Sequence, residues 1–443
     1  MLKVALYNLG CKVNSYEIDV MQQNLQENGF LIVPFDEMAD IYLVNTCTVT
    51  NIADRKSRKM LHRARQQNPA AIVVAVGCFV QADDENLNDM SIDLAIGNNK
   101  KNDLIPILVE YIEKRHERKN VIDINKETTY EEMTLKQITN RTRAFIKIQD
   151  GCNQFCSYCI IPHVRGRVRS RGEKSIISEL TEPVNKGNRE VVLTGINLSA
   201  YGEDFQKKDA LINLLTKLNQ ISDLCRIRLG SLEPQIITER FINKISGLTK
   251  VCPHFHLSLQ SGCDTVLKRM NRHYTTADYA EKVELIRSVY QNKDKEPAIT
   301  TDIIVGFPGE TEDEFNITKE FVRQIGFSEI HVFKYSKRKG TIAANMPFQI
   351  PVTTKKSRSL VLHEIGKELN KQFLTNYIGN KVTVIPEEEK IINGIKYWLG
   401  YTAEYVRVAL PLQNFEDISS TSGELIDAVI TTFLTDKILL GES

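Results

Sequence analysis

From Lys3 to about Arg115, short apolar runs alternate with longer segments of mixed character. KVALYNLG, IYLVNT, AIVVAVG and IDLAIG are separated by stretches such as SYEIDVMQQNLQENG. Short apolar runs bounded by turn residues read as buried strands, and the longer segments as helices. Regular alternation of the two predicts a small doubly wound sheet of parallel strands, with ligands gathering at the strands' carboxyl ends. Residues 116–138 are polar with little periodicity and predict a connector. Six further strands follow: RAFIKIQ from Arg143, EVVLTG from Glu190, CRIRLGS from Cys225, HFHLSLQS from His254, ITTDIIVGF from Ile299 and EIHVFKYS from Glu329. Helical stretches such as ALINLLTKLNQI and TADYAEKVELIRSVY lie between them. Six βα units predict an incomplete parallel barrel whose active groups occupy the loops after the strands. From about Lys371 the helical period disappears, and KVTVIPE, IKYWLGYTAE and EYVRVAL predict a small antiparallel β-barrel. The expected class is α/β, divided into 1–115, a connector at 116–138, a core at 139–370 and a last domain at 371–443.

A chain of 443 residues fits about three domains at roughly 150 residues each. Its opening MLKVALYNLG lacks the apolar core and cleavage site of an export signal, and no run approaches the ~20 apolar residues of a membrane span. A cytoplasmic protein without membrane contact is expected, so its nine cysteines read as reduced thiols available to metal. The net charge of +1 advertises no partner. Local clusters do: six cations in RKSRKMLHRAR from Arg55, five between Arg165 and Lys174, then KRK at Lys337 and KKSR at Lys355. One such cluster is ordinarily a solvated face, whereas several together favour a polyanion. The last domain runs the other way, with six Lys or Arg against ten Asp or Glu from Lys371 onward, a balance of −4. It holds the only tryptophan, Trp398, beside Tyr397 and Tyr401, and barrels of this kind bind single-stranded nucleic acid by stacking bases on aromatics.

The candidate chemistry sits at strand ends. DGCNQFCSYC, after the first barrel strand, brings Cys152, Cys156 and Cys159 together, and thiolates in one loop hold soft or borderline metals. With His163 the set would make a structural zinc site. A 4Fe-4S cluster, usually held by four cysteines, would instead keep one iron open for a substrate or cofactor. The later strands end in Gly195 and Asn197, Ser231 and Glu233, Gln260 and Ser261, and Gly306, Pro308 and Gly309. Any one of these is ordinarily a turn former or helix cap, but together they outline a mouth. In the first domain Cys11, Cys47 and Cys78 each follow a predicted strand, so all three should emerge on one sheet edge. Cys225, Cys252 and Cys263 show no grouping.

CNQFCSYC in the loop opening a six-unit barrel resembles the radical S-adenosylmethionine (SAM) superfamily. The resemblance implies that the open iron chelates SAM and that an electron splits its sulfonium, giving a carbon radical. The three-domain layout extends the resemblance over nearly the whole chain to the methylthiotransferases, whose last domain is an RNA-binding TRAM module. It implies that Cys11, Cys47 and Cys78 hold a second, auxiliary 4Fe-4S cluster. It also makes Tyr158, Gly195, Asn197, Glu233, Gln260, Arg269 and Gly306 candidate SAM-binding residues, with Arg272 a candidate for the methionyl carboxylate or an RNA phosphate. GCKVNSYE from Gly10, LGSLEPQ from Leu229 and LKRMNRHYT from Leu267 are similar to the branch acting on threonylcarbamoyladenosine in tRNA, whereas the isopentenyladenosine branch shows GCQMN at the first of these. The implied reaction inserts a methylthio group at C2 of N6-threonylcarbamoyladenosine beside the anticodon. The implied partners are a tRNA anticodon stem-loop, bound partly through Arg55–Arg65 and Arg165–Lys174, and an electron donor such as flavodoxin or ferredoxin. The alternatives are the isopentenyladenosine and ribosomal-protein branches and, in another class, an RNA-binding zinc protein without radical chemistry.

Overall fold

Side-chain alternation along the first-domain strands dictates its layers. In the computed structural model, which describes residues 1–82, 92–114, 119–136, 142–185, 187–293, 296–412 and 424–442, six strands form one sheet. They are β1 (Lys3–Asn8), β2 (Leu31–Val33), β3 (Ile41–Thr46), β4 (Ile72–Gly77), β5 (Leu94–Ile96) and β6 (Lys119–Asn120), in the order β2-β1-β3-β4-β5-β6 with every pair parallel. Ile41, Leu43, Ile72, Val74 and Val76 face one core, with α1 (Lys12–Glu27) and α4 (Leu104–Lys114) packed over them. Tyr42, Val44, Val73 and Ala75 face the other, under α2 (Asn51–Gln67) and α3 (Cys78–Ala82). Period-two alternation on fully buried strands thus yields helices on both faces. Short β2 and β6 escape the pattern. β6 and the buried Tyr130, Met133 and Leu135 belong to the stretch expected as a connector, which is packed against the first domain rather than loose; its 116–118 and 137–138 portions lie outside the described residues.

The second series is β7 (Arg143–Lys147), β10 (Glu190–Thr194), β11 (Arg226–Leu229), β12 (Ser231–Leu232), β13 (His254–Leu257), β14 (Ala298–Val305) and β15 (Glu329–Lys334). A small antiparallel pair, β8 (Gln149–Asp150) and β9 (Arg169–Ser170), brackets the cysteine loop. The strand expected from Cys225 is bent at Gly230, so β11 ends one parallel sheet, β11-β10-β7, and β12 begins the next, β12-β13-β14-β15. A Cβ on Gly230 would sit 3.0 Å from the Leu193 carbonyl oxygen, which explains the glycine at the bend. Ala144, Ile146, Val191, Leu193, Ile227, Phe255 and Ile303 point outward into one large core. It is covered by α6 (Glu173–Asn185), α7 (Ala210–Leu218), α8 (Glu239–Ser246), α10 (Thr276–Gln291), α11 (Glu312–Ile325) and α12 (Val352–Thr375). Two short helices, α5 (Ile161–Val164) and α9 (Asp264–Arg269), follow the first and fourth strands. The alternate positions, Arg143, Lys147, Glu190, Arg226, Arg228, His254, His256, Thr300 and Asp302, are polar, so the barrel interior is a charged lumen.

Helix α12 continues past the expected boundary at 370–371, and the last domain begins at β16 (Lys381–Ile392), followed by β17 (Ile395–Tyr401), β18 (Arg407–Pro411), β19 (Ile426–Thr435) and β20 (Ile438–Glu442). The order β16-β17-β18-β20-β19 closes a barrel whose pairs are antiparallel except β18 with β20. It caps the bottom of the larger barrel through three arginines. Arg143 donates to Glu387 (2.9 Å) and Tyr405 (3.0 Å), Arg226 to the carbonyls of Tyr401 (2.8 Å) and Thr383 (2.6 Å), and Arg228 to those of Ala403 (2.7 Å) and Thr402 (3.1 Å). The expected stacking trio is therefore not presented to RNA: Tyr397 is buried, Trp398 packs in the small barrel's core, and Tyr401 lies under Arg143 and against Tyr405.

The first domain and the barrel are joined by buried charges. Glu17 on α1, inaccessible to water, pairs with Lys101, with Lys147 on β7 (2.8 Å) and with Arg165 (3.0 Å). Burial alone would raise its carboxyl, but Arg165, Lys101 and Lys147 more than offset that and hold it well below the usual range. Glu17→Gln leaves Lys101 without its carboxylate and Lys147 and Arg165 sharing Asp150 alone, and is expected to lower stability by about 3–5 kcal/mol, read from the urea midpoint at neutral pH. Because the folded carboxyl is depressed, the contribution is complete above the unfolded value near about 4.3 and is lost as pH falls through the folded one, so the gap between wild type and variant should close in acid. A gap independent of pH would contradict this assignment.

Candidate active site

Three adjacent parallel strands place the first cysteine trio. β1, β3 and β4 run side by side, with Asn8 opposite Asn45 and Thr46 opposite Gly77, so Cys11, Cys47 and Cys78 leave the sheet at one edge. Gly10, at φ +112°, lets the loops close: a Cβ there would lie 3.1 Å from the Cys47 Cβ. Asn14 donates to the carbonyls of Leu9 (2.7 Å) and Thr46 (3.0 Å), tying the Cys11 loop to the end of β3. Asn98 donates to Cys78 Sγ (3.5 Å) and to the Val164 carbonyl (2.6 Å), and Cys78 packs against Ile160 and Val164, just beyond Cys159.

The second trio sits in a loop fixed on all sides. Gly151, at φ +72°, is obligatory, since a Cβ would lie 1.8 Å from the Arg167 carbonyl oxygen. Ser157 is bonded through its N–H to the Met270 carbonyl (2.9 Å) and through its hydroxyl to that of Arg269 (2.8 Å). Gln149 donates to the carbonyls of Asp150 and Gly151 and accepts from the Asn197 N–H (2.9 Å), a crossing made possible by Gly195, whose Cβ would fall 2.9 Å from Gln149 Oε1. Arg272 donates to Cys156 Sγ (3.1 Å) and pairs with Glu233. Burial pushes the Cys152 and Cys47 thiols up to about 11 each, and those of Cys11 and Cys159 upward too, so each gives up a proton to bind metal.

The second trio and Cys11 of the first line a cavity of about 660 Å³ at the mouth of the large barrel, with Cys47 and Cys78 buried behind its wall. Its wall includes Cys11, Cys152, Cys156 and Cys159, and of the residues expected to hold SAM it brings in Tyr158, Gly195, Asn197, Glu233 and Gln260, with Arg272. Two expected residues are elsewhere. Arg269 is bonded to Glu314 (2.7 and 2.9 Å), and Gly306 abuts the Lys355 side chain; neither lines the cavity. Three lining residues went unnoticed in the sequence, namely His256, Asp302 and His331, whose ligand atoms lie within 4.8 Å of one another. They occupy inward positions of β13, β14 and β15, and the visible signal was a polar residue at alternate places in otherwise apolar strands. His163 is exposed and outside the cavity wall, which leaves the zinc reading without its fourth ligand.

The expected RNA contacts divide. Arg165, Arg169 and Arg171 are buried; Arg165 pairs with Glu17 and Asp150 (2.9 Å) and Arg171 with Glu179, so they hold structure and do not meet phosphate. Arg338 likewise bonds Asn51 (2.7 Å) and Asp54 (3.1 Å). On α2, Arg55, Lys56 and Lys59 are exposed and have no ion-pair partner among the described residues. Phe155, in the cysteine loop at φ +50°, is 37% exposed with the Arg167 guanidinium over its ring at 4.4 Å, presenting a flat face beside the mouth.

Residues 3–97 match the model of Uncharacterized protein family UPF0004, and residues 146–322 that of the Radical SAM superfamily. The chain is 38% identical over 411 residues to threonylcarbamoyladenosine tRNA methylthiotransferase MtaB of Bacillus subtilis (strain 168), covering 92% of this chain and 90% of that protein. The chain belongs to the radical SAM tRNA methylthiotransferase family. A tRNA-2-methylthio-N(6)-dimethylallyladenosine synthase of Pelotomaculum thermopropionicum is 34% identical, with 88% of each chain covered. Among solved structures, the radical SAM methyltransferase TsrM from Kitasatospora setae shares the fold, with a TM-score of 0.57 at 14% identity over 77% of this chain and 74% of that one. Membership makes this methylthiotransferase an enzyme that uses SAM and a 4Fe-4S cluster. Cys152, Cys156 and Cys159 fit that cluster as three thiols from one loop; Cys225, Cys252 and Cys263 do not line the cavity, and Cys11, which does, comes from the first domain.

Hydrogen bonds and charge near cluster sulfur tune its potential. Arg272→Met removes both from Cys156 and is expected to shift the reduction potential of the methylthiotransferase's cluster to more negative values in an EPR-monitored titration, while Arg272→Lys retains most of the wild-type value. An unshifted potential in the Met variant would contradict the role given to Arg272.

Proposed function

We propose that this enzyme inserts a methylthio group at C2 of N6-threonylcarbamoyladenosine beside the anticodon of tRNA, with Cys11, Cys47 and Cys78 holding a second 4Fe-4S cluster. The observation that carries the reading is a second cysteine trio at one sheet edge, whose Cys11 lines the same cavity as Cys152, Cys156 and Cys159. A single radical-forming centre needs only one trio, whereas adding sulfur to carbon requires a second place from which sulfur is delivered. When bound, SAM and the cluster of Cys152, Cys156 and Cys159 supply a carbon radical. The chain supplies position and dryness. Arg272 holds Cys156 and Glu233 together, Glu233 offers a carboxylate to ribose hydroxyls, and Tyr158 and Gln260 complete the wall around SAM.

An exposed loop nucleotide is best held by cations on its phosphates and by stacking on its base. Arg55, Lys56 and Lys59 on α2 supply the cations and Phe155 the face, which suits an anticodon stem-loop approaching the mouth from the first-domain side. The small barrel, TRAM-like in architecture, adds RNA contact away from its buried aromatics. No helix among the described residues is long and apolar enough to cross a membrane, and a tRNA substrate places the enzyme in the cytoplasm, where a flavodoxin or ferredoxin would supply electrons.

The deciding experiment is mass spectrometry of tRNA nucleosides from a strain lacking the protein. Loss of 2-methylthio-N6-threonylcarbamoyladenosine, restored by the wild-type gene, is expected; loss of the methylthiolated isopentenyl nucleoside would assign the other branch. In vitro, Cys156→Ala should abolish SAM cleavage. Cys47→Ala should retain cleavage, stop methylthiolation and lower bound iron from about eight to about four per chain. Product formation by Cys47→Ala would remove the second cluster from the proposal.

A further inference from the structure

One cation at this cavity makes no hydrogen bond or ion pair among the described residues. Lys12 follows Cys11 as the first residue of α1, the positive end of the helix dipole, and no acidic residue occupies that first turn. The position disfavours a cation, and a local rule broken without structural gain marks a functional residue. Its side chain lines the cavity and remains accessible, with no hydrogen bond or ion pair to any described residue. The neighbouring cations are committed: Arg272 to Glu233, Arg228 to Glu190, Arg143 to Glu387. The same cavity wall carries His256 and His331, their rings 5.8 Å apart. Of the acids on this wall, Asp302 acts on the ammonium only through space and lies 3.4 Å from His256 Nε2, while Glu329 sits two residues before His331.

We propose that Lys12 is the carboxylate-binding residue of the substrate pocket, with His331 as a hydrogen-bond donor on the same wall; His256 is already engaged through Nδ1 with Thr300 (3.0 Å) and through Nε2 with Asp302. This rests on the functional reading above and specifies how it is achieved. Threonine joined through its amine to a carbamoyl group keeps a free carboxylate and a hydroxyl, whereas a dimethylallyl group has neither. An ammonium and an imidazole on the cavity wall match the first and gain nothing from the second. A charge-assisted bond in a partly enclosed site is worth about tenfold to a hundredfold in affinity. Lys12 thereby couples the two duties of the α1 start, since the residue before it belongs to the auxiliary trio and its own side chain fixes the nucleoside to be modified.

The test measures the Kd of the reconstituted holoenzyme for three synthetic anticodon stem-loops. They carry threonylcarbamoyladenosine, its neutral carboxamide, or dimethylallyladenosine. Wild type should bind the carboxylate at least about tenfold tighter than the carboxamide, and Lys12→Gln should narrow that ratio to within about twofold. Iron content and melting temperature establish that the variant is loaded and folded; should it fail to load, His331→Gln is measured in its place, and the wild-type ratio stands as the deciding number. Equal wild-type affinity for carboxylate and carboxamide, or a ratio unchanged in the loaded variant, overturns the inference. Tighter wild-type binding of the dimethylallyl stem-loop than of either other one overturns instead the functional reading on which it rests.

Discussion

Arg165 is the hinge pin of this molecule. Fully buried, it donates to Glu17 and to Asn14 (2.7 Å) in the first domain and to Asp150 in the barrel, so one guanidinium spans both cysteine loops. Asn14 secures the Cys11 turn, and Asp150 opens the loop of Cys152. A guanidinium offers five donors in a rigid plane, which a lysine could not reproduce. Removing so many charges from water is expensive, and such groups hold geometry more than they add stability. What they hold here is the relative placement of two cysteine trios that come from different domains, with Cys78 and Cys152 standing 74 positions apart in the chain.

The remaining architecture follows from that junction. Outward apolar positions on the barrel strands bury against the helices, and inward ones form a polar lumen. A parallel barrel normally fills its interior with branched side chains. This one keeps its interior open at the top, where SAM and a nucleoside must both fit. The bottom is stopped by the small barrel, with Tyr405, at φ +71°, stacked on Tyr401 at 4.6 Å and lying under Arg143 and Arg228. Radical chemistry requires that water and stray donors be kept out, and a plugged lumen with a loop-lined mouth provides that. The small barrel's acidic balance is compatible with this duty, since its arginine-facing edge is used for docking.

Much of this was legible in the sequence because its signals were local. Short apolar strand runs, the strand-end cysteines, and the glycines and small polar residues after each strand follow from backbone requirements of a few residues. The charge clusters were less readable. Arg165, Arg169 and Arg171 look like an RNA patch in a linear view, but their partners Glu17, Asp150 and Glu179 lie eight to about a hundred and fifty positions away or close the same loop, and only the fold brings them together. The same holds for Tyr401, whose ring is covered by an arginine from another domain, and for Arg269, whose partner Glu314 stands at the start of α11. His256, Asp302 and His331 were visible only as interruptions in apolar strands. Their convergence depends on strand register, which no short motif encodes.

The proposal that both cysteine trios hold clusters close to one cavity can be tested directly by EPR of the reduced, anaerobically reconstituted protein. The account predicts a spectrum broadened by magnetic coupling between two centres, different from the sum of the spectra of Cys47→Ala and Cys156→Ala, each of which retains one trio. A wild-type spectrum equal to that sum, or one showing a single centre, would contradict it.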